Sequence, residues 1–209
     1  MNLSGKTSSI LLVVFFMVFH AFSQSDNQKW KAQFAVGINH PFSEGFVEGF
    51  YAKSINFPTI NLGIQYMFKP QFGAKLDFGY NRFSNEDDSP EFKVNYSRVN
   101  AQLVYDPTTV TNFLPDRIAI VGHAGPGMTF IKPLGDYPEN DTSFLNFMAG
   151  VEFHYDVSQL FSVYTDVSYI FGFGKEFNPI TDGYGSFNGD IITLTVGVSL
   201  SLSGCRTCF

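Results

Sequence analysis

Apolar residues alternate with polar or small residues along most of the chain after Lys31. The alternation recurs in eight stretches of about ten residues, the length of a strand tilted across a bilayer. A period of two places successive side chains on opposite faces of a strand. The third stretch sets two groups against each other, Phe72, Ala74, Leu76, Phe78 and Tyr80 against Gly73, Lys75, Asp77, Gly79 and Asn81. The pattern predicts an all-β chain of eight strands.

Two stretches depart from this regularity. In the fourth, the apolar residues change from even to odd positions, as shown by Phe92, Val94 and Tyr96 followed by Val99, Ala101, Leu103 and Tyr105. One extra residue in a strand would produce that change of phase, so the sequence predicts a β-bulge near Ser97 and Arg98. The fifth stretch, residues 117–131, is rich in glycine and leaves its two faces ambiguous.

The connections between the stretches also alternate, in length. Four are mostly long and polar (41–57, 84–91, 132–143 and 172–189), whereas 69–71 and 156–160 are short. Transmembrane barrels have long outer loops and short periplasmic turns. We therefore expect the loops around Gly45, Asp87, Asp136 and Asp182 to lie outside the cell. Residues 106–116 are longer than this rule predicts.

Composition indicates which face meets the solvent. Charged residues are only 15% of the chain and aromatic residues 17%, whereas a soluble domain has about 25% charged residues. The non-apolar face is mostly Gly, Asn, Gln, Ser and Thr, which suits a narrow polar lumen. Aromatic residues gather at two rims, Trp30, Tyr66, Phe68, Phe72, Tyr105, Tyr155 and Phe161 at one and Tyr80, Phe92, Tyr169 and Phe171 at the other.

Two such aromatic girdles match the two membrane interfaces. The sequence thus predicts a closed, antiparallel, eight-stranded transmembrane β-barrel. An alternative is a soluble, lipocalin-like lipid-binding barrel, which would point the same apolar set inward.

The first 23 residues have the features of a secretory signal peptide. Lys6 supplies a positive start, residues 10–19 form an apolar run, and small residues precede Gln24. We therefore expect residues 1–23 to be removed and residues 24–209 to form the barrel. The mature chain would carry 12 basic against 19 acidic residues, a net charge of −7, which argues against nucleic acid as a partner. The expected location is the cell outer membrane, with its lipids and the barrel-assembly machinery as partners.

Two short phrases carry a family resemblance, Ala-Ile-Val-Gly-His-Ala-Gly-Pro-Gly at 119–127 and Asp-Ile-Ile-Thr-Leu-Thr-Val-Gly-Val-Ser-Leu at 190–200. Together with the order of the chain, a signal peptide followed by eight alternating strands, these phrases resemble the OmpA-type outer-membrane β-barrel family. Larger members continue into a peptidoglycan-binding domain, whereas this sequence ends at Phe209, so the resemblance implies no cell-wall tether. Assembly signals in such proteins place a terminal aromatic in phase with the last strand. Phe209 is out of phase, which predicts a bulge near Gly204 or a strand end near Leu202.

The inward face carries a few charged residues that form the candidate site, a polar network in the lumen made of Lys75, Asp77, Arg98, Glu152, His154, Tyr164 and Asp166. An eight-stranded barrel is barely wide enough for its own side chains, and buried charges must be paired. Arg98 is expected at mid-height, with Asp77 and Asp166 as its carboxylate partners.

The same face leaves open an enzymatic alternative, a lipid-modifying enzyme. Glu152 and His154 share one face of the sixth strand, and Ser162 or Ser168 lies on the seventh, which are the types of residue that a nucleophilic site requires. These residues are expected inside the barrel, however, and no Gly-x-Ser-x-Gly, zinc or phosphate-loop motif supports catalysis.

No catalytic residue, cofactor or metal is expected. The pair Cys205 and Cys208 is half a zinc site, and Glu86-Asp87-Asp88 is interpreted as a solvated loop tip. His40 and His123 are interpreted as structural. The sequence favours a structural or surface-interaction role, with a possible surface ligand bound by the outer loops and at most slight, porin-like solute passage.

Overall fold

The chain folds into a single closed barrel. The computed structural model describes residues 29–109 and 114–202. Eight antiparallel strands follow one another around the barrel in chain order, and the last pairs with the first. They are β1 (Trp30–Pro41), β2 (Asn56–Met67), β3 (Phe72–Ser84), β4 (Lys93–Tyr105), β5 (Ile118–Leu134), β6 (Thr142–Asp156), β7 (Phe161–Gly172) and β8 (Ile191–Ser201). The predicted eight-stranded barrel is confirmed.

The period-two alternation explains how the wall is built. Apolar side chains point away from the barrel axis, so that Leu103 is 71% exposed and Val196 63%. Their chain neighbours point inward and are mostly polar, as are the buried Gln102 and Thr195. A soluble barrel would have its apolar side chains inside. The lipocalin-like alternative is therefore wrong.

Strand β4 contradicts the predicted bulge. It pairs in unbroken register with β3 and β5, and its even-numbered residues are buried along its whole length. Val94 and Tyr96 face the lumen because that end of the lumen is apolar. Phe92 is buried with them, so its assignment to the aromatic girdle is also wrong.

The loops lie at the two ends as the connection lengths predict. One end, here called the long-loop end, carries residues 42–55, 85–92, 135–141 and 173–190. The other, the short-turn end, carries residues 68–71 and 157–160, together with the longer connection that follows β4 and contains a 3-10 turn at Pro107–Thr109. Within the described ranges, no helix has the length and apolar character needed to cross a membrane.

An apolar cluster fills the lumen at the long-loop end. It consists of Phe46, Phe50, Phe83, Phe92, Val94, Tyr96, Ile131, Phe144, Met148, Ile170, Phe187 and Ile191, here called the aromatic plug. Phe187, from the loop between β7 and β8, lies with its ring centroid 4.7 Å from that of Phe46 and 5.1 Å from that of Phe83. A Cβ on Gly45 would lie 2.4 Å from the Phe187 ring, so only glycine lets the first loop approach this closely.

Several sequence predictions concern residues outside the described ranges. They include the signal peptide, its cleavage before Gln24, and the roles of Cys205, Cys208 and Phe209. Strand β8 ends at Ser201, and the Leu202 amide donates to the Trp30 carbonyl. This end agrees with a last strand that finishes near Leu202.

Candidate functional site

Below the aromatic plug, the lumen is filled by polar and charged side chains from the inward face of every strand. All seven residues of the predicted network face this interior and are buried, namely Lys75, Asp77, Arg98, Glu152, His154, Tyr164 and Asp166. The alternation of β3, β4, β6 and β7 places them there. Six of them divide into two groups, one around Arg98 and one around Glu152. The seventh, Asp166, contacts His123 instead.

Arg98 is the centre of the first group and is fully buried. Its Nη1 atom donates to Asp77 and, at 3.1 Å, to Asn100, while Nη2 donates to Asn61 at 3.0 Å. A Cβ at Gly79 would lie 2.6 Å from the guanidinium carbon. Gly79, the neighbour of Arg98 across the strand pair, thus leaves the space that the side chain occupies.

The second expected partner of Arg98 has other contacts. Asp166 accepts a hydrogen bond from Ser168, at 2.8 Å, and contacts His123 Nε2 at 3.2 Å. The expectation that Arg98 bridges two carboxylates is therefore wrong for Asp166. The register of β7 places Asp166 beside Glu152 and Thr195, whereas Arg98 lies between Gly79 and Thr129.

Amide side chains extend the Arg98 group upward to the plug. Asn100 Nδ2 donates to Asn146 Oδ1 at a distance of 2.5 Å, and Asn146 Nδ2 donates to the Thr129 hydroxyl at 2.9 Å. Thr129 in turn lies 3.1 Å from the hydroxyl of Tyr96, a plug residue. The polar layer and the plug therefore form one connected interior.

Glu152 is the centre of the second group. One of its oxygens accepts from Lys75 at 2.6 Å, and the other accepts from Gln33 at 2.9 Å and contacts His154 Nε2 at 2.6 Å. His154 Nδ1 lies 3.2 Å from the Ser162 hydroxyl, and its ring stacks on Tyr164 with 5.0 Å between centroids. Glu152 is thus held by partners from three different strands.

Sequence reasoning interpreted His123 as structural but did not include it in the network, where it links Gln102, at 2.6 Å, to Asp166. It lies on β5, whose faces the glycine-rich sequence left ambiguous. A weak signal was present, because the polar Thr129 shares the odd parity of His123, whereas Met128 and Phe130 at even positions are apolar. His40, in contrast, is exposed and contacts the Ser54 carbonyl at 2.6 Å.

This arrangement pairs charges and closes the interior. Two lumen carboxylates contact Lys or Arg, and the third contacts a histidine. Arg98, Asn100 and Asn81 are inaccessible to solvent, as are Phe83 and Phe187 above them. Across the described ranges, no group of three or more His, Cys, Asp or Glu side chains is placed to hold a metal ion.

A closed barrel with an apolar outer wall and a packed polar interior defines a class, the small outer-membrane β-barrels. Residues 9–199 match the family model described as "Outer membrane protein beta-barrel domain". The chain belongs to this family and is an outer-membrane protein. No curated protein matches the sequence.

Solved structures share the fold at low sequence identity. A major outer membrane protein from Thermus thermophilus is 12% identical, with a TM-score of 0.59 over 82% of this chain and 98% of that one. Neisserial surface protein A is 14% identical, with a TM-score of 0.55 over 85% of this chain and 99% of that one. The outer membrane protein OprG from Pseudomonas aeruginosa is 13% identical, with a TM-score of 0.54 over 84% of this chain and 98% of that one.

Proposed function

We propose that this protein is a surface-interaction barrel whose long loops bind a macromolecular partner and whose lumen serves as a structural core. The observation that carries the proposal is the aromatic plug, because it fills the lumen with apolar side chains directly above the buried Arg98 group. Solute passage would require both layers to open. In planar bilayers, the purified protein should show almost no conductance, and steady porin-like currents would contradict the proposal.

The long loops are held together, which suits a binding surface. Asn140 Nδ2 donates to the Thr181 and Tyr184 carbonyls at 3.1 and 2.9 Å and so connects two loops. The backbone N–H of Asn188 donates to the Gly45 carbonyl at 3.0 Å and so connects the first loop to the last. A surface that is ordered before binding loses less conformational entropy on association.

The charge of these loops indicates the chemistry of the partner. Residues 42–55, 85–92, 135–141 and 173–190 contain 12 acidic side chains and only two basic ones, a net charge of −10. Exposed apolar side chains, including Ile55 and Ile180, lie among them. Complementary charge favours a partner with a basic surface. Binding should weaken as salt is raised, and salt-independent binding would refute the charge argument.

The proposal requires the long loops to face the outside of the cell. An epitope tag inserted beside Asp182, in an exposed loop segment, should be labelled by antibody on intact cells. Labelling that appears only after the outer membrane is opened would reverse the orientation and refute surface binding.

A second candidate function, lipid modification, is favoured by one observation, the hydrogen-bonded series Ser162, His154 and Glu152. These residue types match a nucleophile, a base and an orienting carboxylate. Glu152 is however also bound by Lys75 and Gln33, and all three members of the series are buried. A fluorophosphonate probe tests this candidate: labelling of the wild-type protein that is lost in Ser162→Ala would establish a reactive serine.

A further inference from the structure

Three basic side chains lie together on the outward face at the long-loop end of β3, β4 and β5. Arg82 is paired with Asn95, and Asn95 with Lys132, across the two strand boundaries. Lys93 lies two residues before Asn95 and is exposed on the same face, as are Arg82 and Lys132. Diagonal neighbours in a sheet are about 7–8 Å apart. The three long side chains, here called the basic triad, can therefore reach one point above Asn95.

Neutral groups orient Arg82, whereas the acidic Glu91 and Asp136 lie beside Lys93 around a shared pocket. Asn95 Oδ1 accepts from Arg82 Nε at 3.0 Å and from the Tyr80 hydroxyl at 2.8 Å. The Arg82 guanidinium also lies 5.9 Å from the Tyr80 ring centroid. Among the described residues, the triad's ion pair is between Lys93 and Glu91, at 3.9 Å, and both are largely exposed. Such a pair contributes little, so the triad can accept an anion.

The surroundings of the triad favour an anion that is held in the membrane. Arg82 lies against Tyr80, a residue of the aromatic girdle, and girdle residues sit at the level of the lipid headgroups. The triad lies on the outer wall of the barrel, where the strands meet lipid. A lipid headgroup can reach it sideways from the leaflet.

An apolar groove lies below the triad on the same strands. Its floor is made of small outward residues, Ala74, Ala101 and Ala124, and Leu76, Leu103 and Phe147 form its sides, with a volume of about 860 Å³. Ala101 is six residues from Asn95 along β4, which is about 20 Å in a strand. The groove continues down to Trp30 and Tyr66 at the short-turn rim. A lipid whose headgroup contacts the triad would therefore reach only the upper end of the groove, near Ala101, with the end of its acyl chain.

We propose that the basic triad and the upper end of the alanine-floored groove bind one phosphate-bearing anionic lipid of the leaflet at the long-loop end. Arg82, Lys93 and Lys132 contact the phosphate, and Asn95 keeps Arg82 in position. The upper end of the groove accepts the end of one acyl chain, because the small side chains of Ala101 and Ala124 leave space there.

Native mass spectrometry of the detergent-solubilised full chain, titrated with phosphatidic acid, tests the proposal. Replacing the triad by Arg82→Gln, Lys93→Gln and Lys132→Gln should weaken binding at least about tenfold, since each basic residue adds to attraction for an anionic lipid. The matched control replaces three other exposed lysines, Lys53, Lys69 and Lys175, by Gln. This control has the same net charge and should bind as the wild type does.

Two further arms separate the contributions of lipid and phosphate. Ala101→Phe fills the groove at a position exposed to lipid and should also weaken binding of phosphatidic acid. Inorganic phosphate should not displace the lipid from the wild type. Unchanged binding in the triad variant, equal loss in the control variant, or displacement by inorganic phosphate would each overturn the proposal. Heat-modifiable gel mobility shows whether each variant is folded, and the single variant Lys132→Gln replaces the triple variant if that one is not.

Discussion

Removal of Arg98 is the sharpest test of the closed interior. Arg98→Ala deletes a fully buried guanidinium and leaves Asp77 without its cation, and Asn61 and Asn100 without a donor. Breaking a buried ion pair by removing one partner costs on the order of 3–5 kcal/mol. The urea midpoint for unfolding in detergent should therefore fall clearly. Water that enters the vacated space would place the loss at the lower end of that range.

The control for Arg98→Ala removes both charges together. In Arg98→Met combined with Asp77→Asn, no charge is left unpaired, and replacing a buried ion pair by uncharged groups is often close to neutral. The double variant should therefore be more stable than Arg98→Ala. Arg98→Lys keeps the charge but loses the planar geometry that contacts three partners, so it should be intermediate. If Arg98→Ala unfolds at the wild-type midpoint, Arg98 is not in a closed network and the structural interpretation of the lumen fails.

Three further predictions concern the wall, the plug and the leader. Val151 faces outward near the middle of β6, so Val151→Arg should lose about 2–4 kcal/mol of stability in lipid vesicles. The control Val151→Leu should keep the wild-type stability, and equal stability of the two variants would refute the assignment of faces. Phe187→Ala should destabilise the fold by about 3–5 kcal/mol. Combined with Arg98→Ala, it should raise bilayer conductance above that of either single variant, and unchanged currents would show that the plug does not seal the lumen. N-terminal sequencing of the exported protein should begin near Gln24, and recovery of Met1 would disprove the signal peptide.

The strand pattern could be predicted wherever polarity separates lumen from lipid. Along β3 the alternation of Lys75 and Asp77 with Leu76 and Phe78 identifies both faces. The same rule failed on β4, because Tyr96 is apolar and faces inward, towards the plug. A period-two pattern carries no information where both sides of the wall are apolar.

The contents of the lumen were easier to predict than its pairings. The alternation alone predicts that Arg98 and Asp77 lie in the interior, but the partner of each charged side chain depends on strand register and tilt. In the folded barrel, the side chain of Asp166 contacts His123 rather than Arg98. The amides that connect the groups, such as Asn146, carry no signal in the sequence that distinguishes a network member from an ordinary polar lining residue.

The plug also connects loop conformation to barrel packing. Phe46, Phe50 and Phe187 belong to loops by sequence, yet their side chains are buried in the end of the barrel. Returning one such side chain to water costs about 1.5–3 kcal/mol, so withdrawing all three would cost about 4.5–9 kcal/mol, which is comparable with the whole stability of a small domain. The loops are therefore anchored by the core that they cover. A partner can bind their outer surface without opening the lumen, because opening requires the loss of this buried apolar contact and binding does not.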